Sequence, residues 1–256
     1  MRPRIRKGLL IGTTLALLAA GLAFGGCKQP PITPELPPNN NSTTPNDTPA
    51  PPTTPDNAVT LLPEPQYESD MPVEQCLLQR RSIRDYSEEP ITLQELSQLL
   101  WAAQGITDPR GFRTAPSAGA LYPLEVYVAA GNVEGLTPGI YRYEPEEHQV
   151  ILLTVGDKRD ELAYAALAQD FVKEGALVIV FTAVYERTTI KYGERGIRYV
   201  NMEAGHVAQN LFLQATALGL GMVTVGAFHD EEVAETLSLP DDEHPLYIIP
   251  IGRRAT

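Results

Sequence analysis

Three arginines in five residues, Arg80-Arg81-Ser82-Ile83-Arg84, are followed from position 116 by Pro116-Ser117-Ala118-Gly119-Ala120-Leu121-Tyr122-Pro123. Guanidiniums grip phosphate oxygens in bidentate fashion, and a run of small residues lets backbone N–H groups approach a flat ring. Taken alone, each stretch has a plainer reading, the first as a solvated surface and the second as a loop. Further on come Lys191-Tyr192, two side chains that can exchange protons, and Val225-Gly226-Ala227, whose central residue has no side chain. Arg253-Arg254 adds a second basic pair near the end of the chain. Together these groups could hold a flat, anionic ligand and move protons beside it.

In this order and spacing the segments resemble the nitroreductase family of flavoenzymes. Within that family they are most similar to the SagB-type branch, the azoline dehydrogenases of thiazole and oxazole peptide biosynthesis. The resemblance covers most of residues 73–254 and implies FMN as cofactor. It implies that Arg80 and Ser82 bind phosphate and ribityl oxygens with Arg81 alongside, and that Arg84 lies near the N1 and O2 edge, where a fixed cation favours the reduced ring. Pro116, Ser117, Ala118, Gly119 and Ala120 would line the pyrimidine edge. Many family members carry Asn at the position of Ala120, and the SagB-type branch shares the small residue found here. Val225, Gly226 and Ala227 would approach flavin N5, and Arg253 and Arg254 would supply the second phosphate-binding position.

By the same resemblance Lys191 and Tyr192 form the acid-base pair, taking a proton while a hydride leaves for N5. Hydride abstraction from carbon needs the adjacent proton to be removed in concert, and burial or neighbouring charge can tune a lysine or tyrosine for it. The plainer reading of this pair is an exposed loop between Val184 and Arg198. Glu203, Gly205, His206 and Asn210 follow in a pattern the branch also shows, and His206 also reads as a histidine satisfied within a helix. No histidine pair has ligand spacing, so the sequence carries no metal site. Gly219-Leu220-Gly221 follows a helix and precedes a strand, the reverse of a dinucleotide fingerprint.

The elements that must position these groups are read from periodicity. Apolar spacing predicts a helix over 73–81, and Thr92-Leu93-Gln94-Glu95 is a capping box opening another that Gly105 stops. Segments 124–129, 139–143, 150–155, 177–184, 222–226 and 246–251 read as strands, and 159–168 and 230–237 as helices. The longest periodic segment, 198–218, repeats small apolar residues at three and four. Strands and helices interleave without a strict βαβ rhythm. The fold class is therefore α+β, and the resemblance makes it a nitroreductase-like three-layer α-β-α fold with a central mixed sheet and a long core helix.

Both ends of the chain carry information of another kind. Arg2, Arg4, Arg6 and Lys7 precede an uncharged stretch from Gly8 to Gly26 that ends in Gly25-Gly26-Cys27. That pattern is a lipoprotein-type signal over residues 1–27, with Cys27 as the lipidated residue, and the other reading is a plain transmembrane anchor. Residues 28–66 are Pro-, Thr- and Asn-rich and read as a disordered linker, leaving 67–256 as one FMN-binding domain. Residues 1–66 hold five basic and four acidic residues, net +1 against −12 for the whole chain, so the domain carries −13. An acidic domain is a poor nucleic-acid binder.

The expected protein is exported and lipid-anchored to the bacterial cell envelope, homodimeric as family members commonly are, and acts on a small-molecule or peptide substrate. Because an exported enzyme meets little NAD(P)H, substrate oxidation is favoured over the alternative, an NAD(P)H-dependent nitro or quinone reductase. A non-catalytic ligand-binding lipoprotein with the same fold is the second alternative.

Overall fold

A computed structural model describes residues 57–255. The signal segment with Cys27, and the linker up to residue 56, lie outside the described residues. Among those described, no helix is long and apolar enough to cross a membrane.

Seven strands make one sheet: β1 (Val59–Leu61), β2 (Leu124–Ala130), β3 (Gly139–Glu144), β4 (Gln149–Val155), β5 (Leu177–Ala183), β6 (Leu220–Met222) and β7 (His244–Arg253). Their order is β1-β4-β3-β2-β5-β7-β6. Every ladder is antiparallel. The mixed character expected of the sheet is confined to single parallel bridges, Ser82 with Met222 and Ile91 with Val133. Short connections explain the β2-β3-β4 run, since strands as close in sequence as β3 and β4 can only fold back on each other.

Helices cover both faces. On one side α2 (Leu93–Gln104) and α6 (Arg195–Ala217) set Leu96, Leu99, Leu100, Val207 and Leu211 against the sheet, with α1 (Val73–Gln79) packed on α6. On the other, α3 (Arg159–Ala165), α4 (Phe171–Glu174) and α7 (Asp230–Leu237) bury Leu162, Val172, Val233 and Leu237 against Tyr127, Val178, Val180 and Ile248. All seven residues of β5 are buried because it lies between both layers, and truncating one of its large side chains would cost about 2–5 kcal/mol. The result is a three-layer α+β fold with α6 as the long core helix.

Local signals set several boundaries. Thr92 and Glu95 form the expected capping box, with Oγ1 of Thr92 accepting from Glu95 N–H and the Glu95 carboxylate accepting from Thr92 N–H. Gly105 ends α2. The strand expected over 222–226 is shorter: β6 stops at Met222, and Val225 pairs with Ile248 only as a single bridge.

The domain boundary needs correction. The linker was expected to reach residue 66, yet β1 pairs with β4 within that range, and Leu62 is buried. Gln66 N–H donates to Gln98 Oε1 at 2.7 Å, and Pro63 accepts from Ser97. Three strand residues flanked by prolines give no periodicity of their own; β4, distant in sequence, supplies the template. Segment 184–198, read alternatively as a loop, instead holds α5 (Glu186–Tyr192), which runs into α6.

Candidate active site

The chain leaves α1 through Arg80-Arg81-Ser82-Ile83-Arg84 alongside the edge strand β6. Ile83 N–H donates to the Met222 carbonyl at 2.9 Å, and Tyr86 bridges Arg254. Because β6 pairs with the end of β7, placing Leu220 opposite Arg253, the two arginine clusters meet at one sheet edge. Their guanidiniums are held differently. Arg80 Cζ lies 4.9 Å from the centre of the Phe212 ring and Arg84 Cζ 5.4 Å from that of Phe171, stacking that spends none of the N–H donors. Arg81 turns back onto the carbonyls of Leu78 and Arg80. Arg253 grips both oxygens of Glu95 at 2.7 and 2.8 Å, and its Nε donates to Pro90. Arg254 engages only its Nε, on the Leu220 carbonyl, among the described residues.

A second group forms around the small-residue turn. Ala118–Ala120 is a single 3₁₀ turn, with Gly119 at φ 66°, Ala120 at 54° and, beyond it, Tyr122 at 45°. A methyl group at Gly119 would stand 2.8 Å from both Lys191 Nζ and Tyr192 Oη. The left-handed backbone favours glycine there, and any side chain would also make the ends of Lys191 and Tyr192 shift aside. Lys191 and Tyr192 close α5, Lys191 exposed and Tyr192 half-buried, with the Tyr192 ring edge-on to Tyr199 at 5.2 Å. Asn210, one turn beyond His206, donates to the Thr114 carbonyl, while His206 itself is exposed.

Beneath this turn lies a carboxyl the motif reading did not assign. Glu203 of α6 is 2% exposed. Burial pushes its pKa up to about 7, against the opposing pull of the Ser117 hydroxyl and the Arg113 guanidinium. Arg113 N–H and guanidinium both address Tyr122, the first bonding its hydroxyl at 3.1 Å and the second lying over its ring at 4.6 Å. A sequence signal for Glu203 existed: it sits three residues after Val200 and four before Val207, on the buried stripe of α6, where a charged residue needs a reason.

Val225–Ala227 lies along the sheet edge. Val225 pairs with Ile248, and the Ala227 carbonyl accepts from Gln169 at 3.3 Å. Gly226 is exposed, and a methyl group on it would find only Tyr247 Cε1, at 3.9 Å. The structure thus brings Arg80, Ser82, Arg84 and Arg254 to one edge, and Lys191 and Tyr192 to the Gly119 turn. It does not bring the two groups to one point within the chain. The turn precedes Leu124, which pairs with Ala183, whereas Leu177 at the other end of β5 pairs with Ile251, near Arg253. Those ends are about 20 Å apart along the strand.

The donor set fits FMN. Stacked arginines and Arg254 suit a dianion, the open backbone at Gly226 suits a ring face, and the strained small-residue turn suits close approach by a second surface. Comparison with known proteins agrees with this geometry. The model of the nitroreductase family matches residues 77–253. A Methanocaldococcus jannaschii protein described as a nitroreductase is 51% identical over 185 residues, 72% of this chain and 92% of that one. The microcin B17-processing protein McbC of Escherichia coli is 29% identical over 157 residues, 58% of this chain and 57% of McbC, so the match spans little more than half of that relative. The crystal structure of a nitroreductase from Ralstonia eutropha superposes with a TM-score of 0.68 at 36% identity, covering 77% of this chain and 90% of that one. Fold, site and relatives lead to one statement: the chain belongs to the nitroreductase family and is an oxidoreductase.

Proposed function

We propose that this oxidoreductase is FMN-dependent and of the dehydrogenase type, removing a hydride and a proton from adjacent atoms of a small-molecule or peptide substrate. The observation that carries the reading is the convergence of Lys191 Nζ and Tyr192 Oη on Gly119, both 2.8 Å from where a side chain there would begin. Two proton-exchanging atoms held at one point beside an open turn are the arrangement a general base needs. Bound FMN would supply the two-electron acceptor. Arg80, Ser82 and Arg254 would hold its phosphate end, Arg84 would lie near the N1 and O2 edge, and Gly226 would meet the ring. Tyr192 Oη or Lys191 Nζ would take the substrate proton, with Tyr199 packed against the Tyr192 ring to fix its orientation. The similarity to McbC, a peptide-processing protein, supports a dehydrogenase of the SagB type over a nicotinamide-driven reductase.

A homodimer completes this reading. The Gly119 turn and the arginine edge are too far apart to enclose one ring, and a second copy can bring its turn to the other's arginines. Two exposed features suit such an interface. Val73, Leu77 and Leu78 of α1 are more than half exposed, and Met202 of α6 is 49% exposed beside Gly205, which has open space over it. Tethering through Cys27 outside the cell is the reading carried by Gly25-Gly26-Cys27 and the uncharged stretch before it.

Purified full-length protein is expected to be yellow and to release FMN on heating. Mixed anaerobically with a panel of azoline-type and related substrates, it is expected to lose flavin colour. Tyr192→Phe and Lys191→Met should each slow that bleaching by about 10²-fold while retaining the flavin. Rapid bleaching by NADPH, indifferent to both substitutions, would assign the chain to the nicotinamide-dependent nitro or quinone reductases. A colourless protein that takes up no FMN would leave a ligand-binding role.

A further inference from the structure

α5 is seven residues long, too short to keep a helical shape or a fixed place without packing. Its neighbours therefore decide where Lys191 and Tyr192, at its end, are held. Residues four apart share a side of a helix, so Arg187 and Lys191 make one ridge of α5, and Thr188 and Tyr192 the next. The first ridge meets the Gly119 turn: Arg187 Nη1 donates to the Tyr122 carbonyl at 3.2 Å, and a methyl group on Gly119 would touch Lys191 Nζ. The second meets α6, with Thr188 fully buried and the Tyr192 ring edge-on to Tyr199.

On the α6 side the approach is main chain to main chain. A methyl group on Gly196, in the first turn of α6, would stand 2.9 Å from Thr189 N and Cα and 3.0 Å from Thr188 C. That is well inside the roughly 3.5–4.0 Å at which carbon atoms rest against each other. No rotamer change can relieve such a contact, so the bare Cα of Gly196 is what lets the two helices meet this closely. Tyr185, just before α5, adds a bond from its Oη to Asn201 Oδ1 of α6 at 3.2 Å. On the turn side the tie is Arg187. Its Nη2 meets Glu125 Oε1 at 2.5 Å, so one guanidinium fork joins α5 both to the end of the turn and to the strand β2 that follows it.

We propose that Gly196 and Arg187 are positioning residues of this site: Gly196 seats α5 directly on the main chain of α6, Arg187 ties its first turn to the Tyr122 carbonyl and Glu125, and between them they hold Lys191 Nζ and Tyr192 Oη converged on Gly119. The inference deepens the function proposed above and rests on it for the chemical role of the pair. The clamp itself belongs to the polypeptide and can be read without flavin. A side chain at position 196 has to push Thr188 and Thr189 away, and the displacement passes along a rigid helix to Lys191, only two residues further on. Loss of the Arg187 fork frees the same helix from the turn it faces. Proton transfer tolerates neither, since a misplacement of about 1 Å can cost about 100-fold in rate.

Hydrogen exchange of full-length protein, resolved to single amides by mass spectrometry and referred to the amides of β5 as internal standard, tests the clamp. Gly193 N–H closes α5 on the Thr189 carbonyl at 2.7 Å, and Tyr122 N–H donates to Ser117 Oγ at 2.9 Å. Arg187→Met should speed exchange of both amides by about threefold or more, and Gly196→Ala that of Gly193 by about tenfold or more. Arg187→Met, at a side chain 42% exposed, leaves the core untouched and decides the outcome should Gly196→Ala fail to fold. Wild-type exchange of Gly193 in either folded variant overturns the proposal. With a thiazoline-containing peptide as probe, both substitutions should slow anaerobic flavin bleaching by about 10- to 100-fold, with half-saturation and FMN affinity kept within about twofold. Neither should slow it further in protein already carrying Lys191→Met and Tyr192→Phe, through which they act; a slowing that multiplies with those two overturns the positioning role. A colourless protein that shows the amide changes keeps the clamp and sinks the flavin reading, whereas a yellow protein bleached by the peptide, with wild-type exchange in both variants, does the reverse.

Discussion

Arg253 and Arg254 are adjacent in sequence and opposite in use. Arg253 closes a bidentate pair with Glu95, whose carboxylate also caps α2, so one ion pair fastens the last strand to the start of a core helix. Arg254 engages only its Nε among the described residues, and in the function proposed above its terminal nitrogens meet the phosphate. Arg254→Ala should weaken FMN binding by about 10- to 100-fold, the loss of a charge-assisted bond worth about 1.5–3 kcal/mol, with the unfolding midpoint nearly unchanged. Arg253→Ala should instead lower stability by about 1–3 kcal/mol by stranding a partly buried carboxylate, with flavin affinity moved less. FMN titration and thermal unfolding of both variants separate the two roles, and the reverse pattern would give the phosphate to Arg253. The sequence names both arginines without telling them apart, because what distinguishes them is Glu95, 158 positions away. Glu203 was legible in a different way, as a charged residue on an apolar stripe, although only the fold shows that Ser117 and Arg113 are its neighbours.

Elements with their own local signals were readable from the chain, and those that borrow their stability were not. Thr92 and Glu95 announce α2 because both partners of the box lie within one turn. β1 has no such signal, and α5 is a seven-residue helix whose most exposed apolar residue, Ile190, gives no inward stripe. Each depends on what it packs against. For β1 the fastening is His148, whose Nδ1 meets Tyr143 Oη at 2.9 Å and whose Nε2 meets Ser97 Oγ at 2.7 Å and the Pro63 carbonyl at 3.2 Å. Burial holds this imidazole below its ordinary range, against the opposing effects of the Pro63 carbonyl and Glu64. A histidine depressed in the folded state binds fewer protons there than when unfolded. Its contribution is therefore complete above about pH 6.5 and is lost as pH falls through its lowered folded value. Relative to intrinsic exchange, the amides of Leu62 and Gln66 should lose protection between about pH 7 and about pH 5. His148→Asn, which tolerates the positive φ of 48° at this position, should flatten that dependence. Unchanged protection across the range would show that β1 is held by its ladder with β4 alone.

For the molecule as a whole, the three-layer plan follows from buried strands and amphipathic helices alternating along the chain, and this much was legible in the composition of each segment. The antiparallel order of the sheet and the separation of the arginine edge from the Gly119 turn were not, since both depend on which distant strands pair. The layered core also joins two titrating groups of opposite sign. Glu203, raised from 4.5 to about 7, binds more protons folded than unfolded between those values. Stability from this site is therefore greatest below about pH 4.5, falls as pH rises towards 7, and is level beyond it. The full span is on the order of 3 kcal/mol. His148 tilts the curve the other way. Their surroundings meet only at Arg113, which acts on both Glu203 and Tyr143, so subtracting the wild-type curve from that of Glu203→Gln largely removes the histidine contribution. Urea unfolding of both proteins at a series of pH values should give a difference that climbs in the variant's favour from about pH 4.5 to about 7 and then stays flat. A difference that is level throughout would mean the Glu203 carboxyl is hydrated as freely in the native protein as in the unfolded chain. One that is level from about pH 4.5 to 7 but falls as pH rises towards 4.5 would mean the Arg113 guanidinium compensates its charge more fully than burial penalises it.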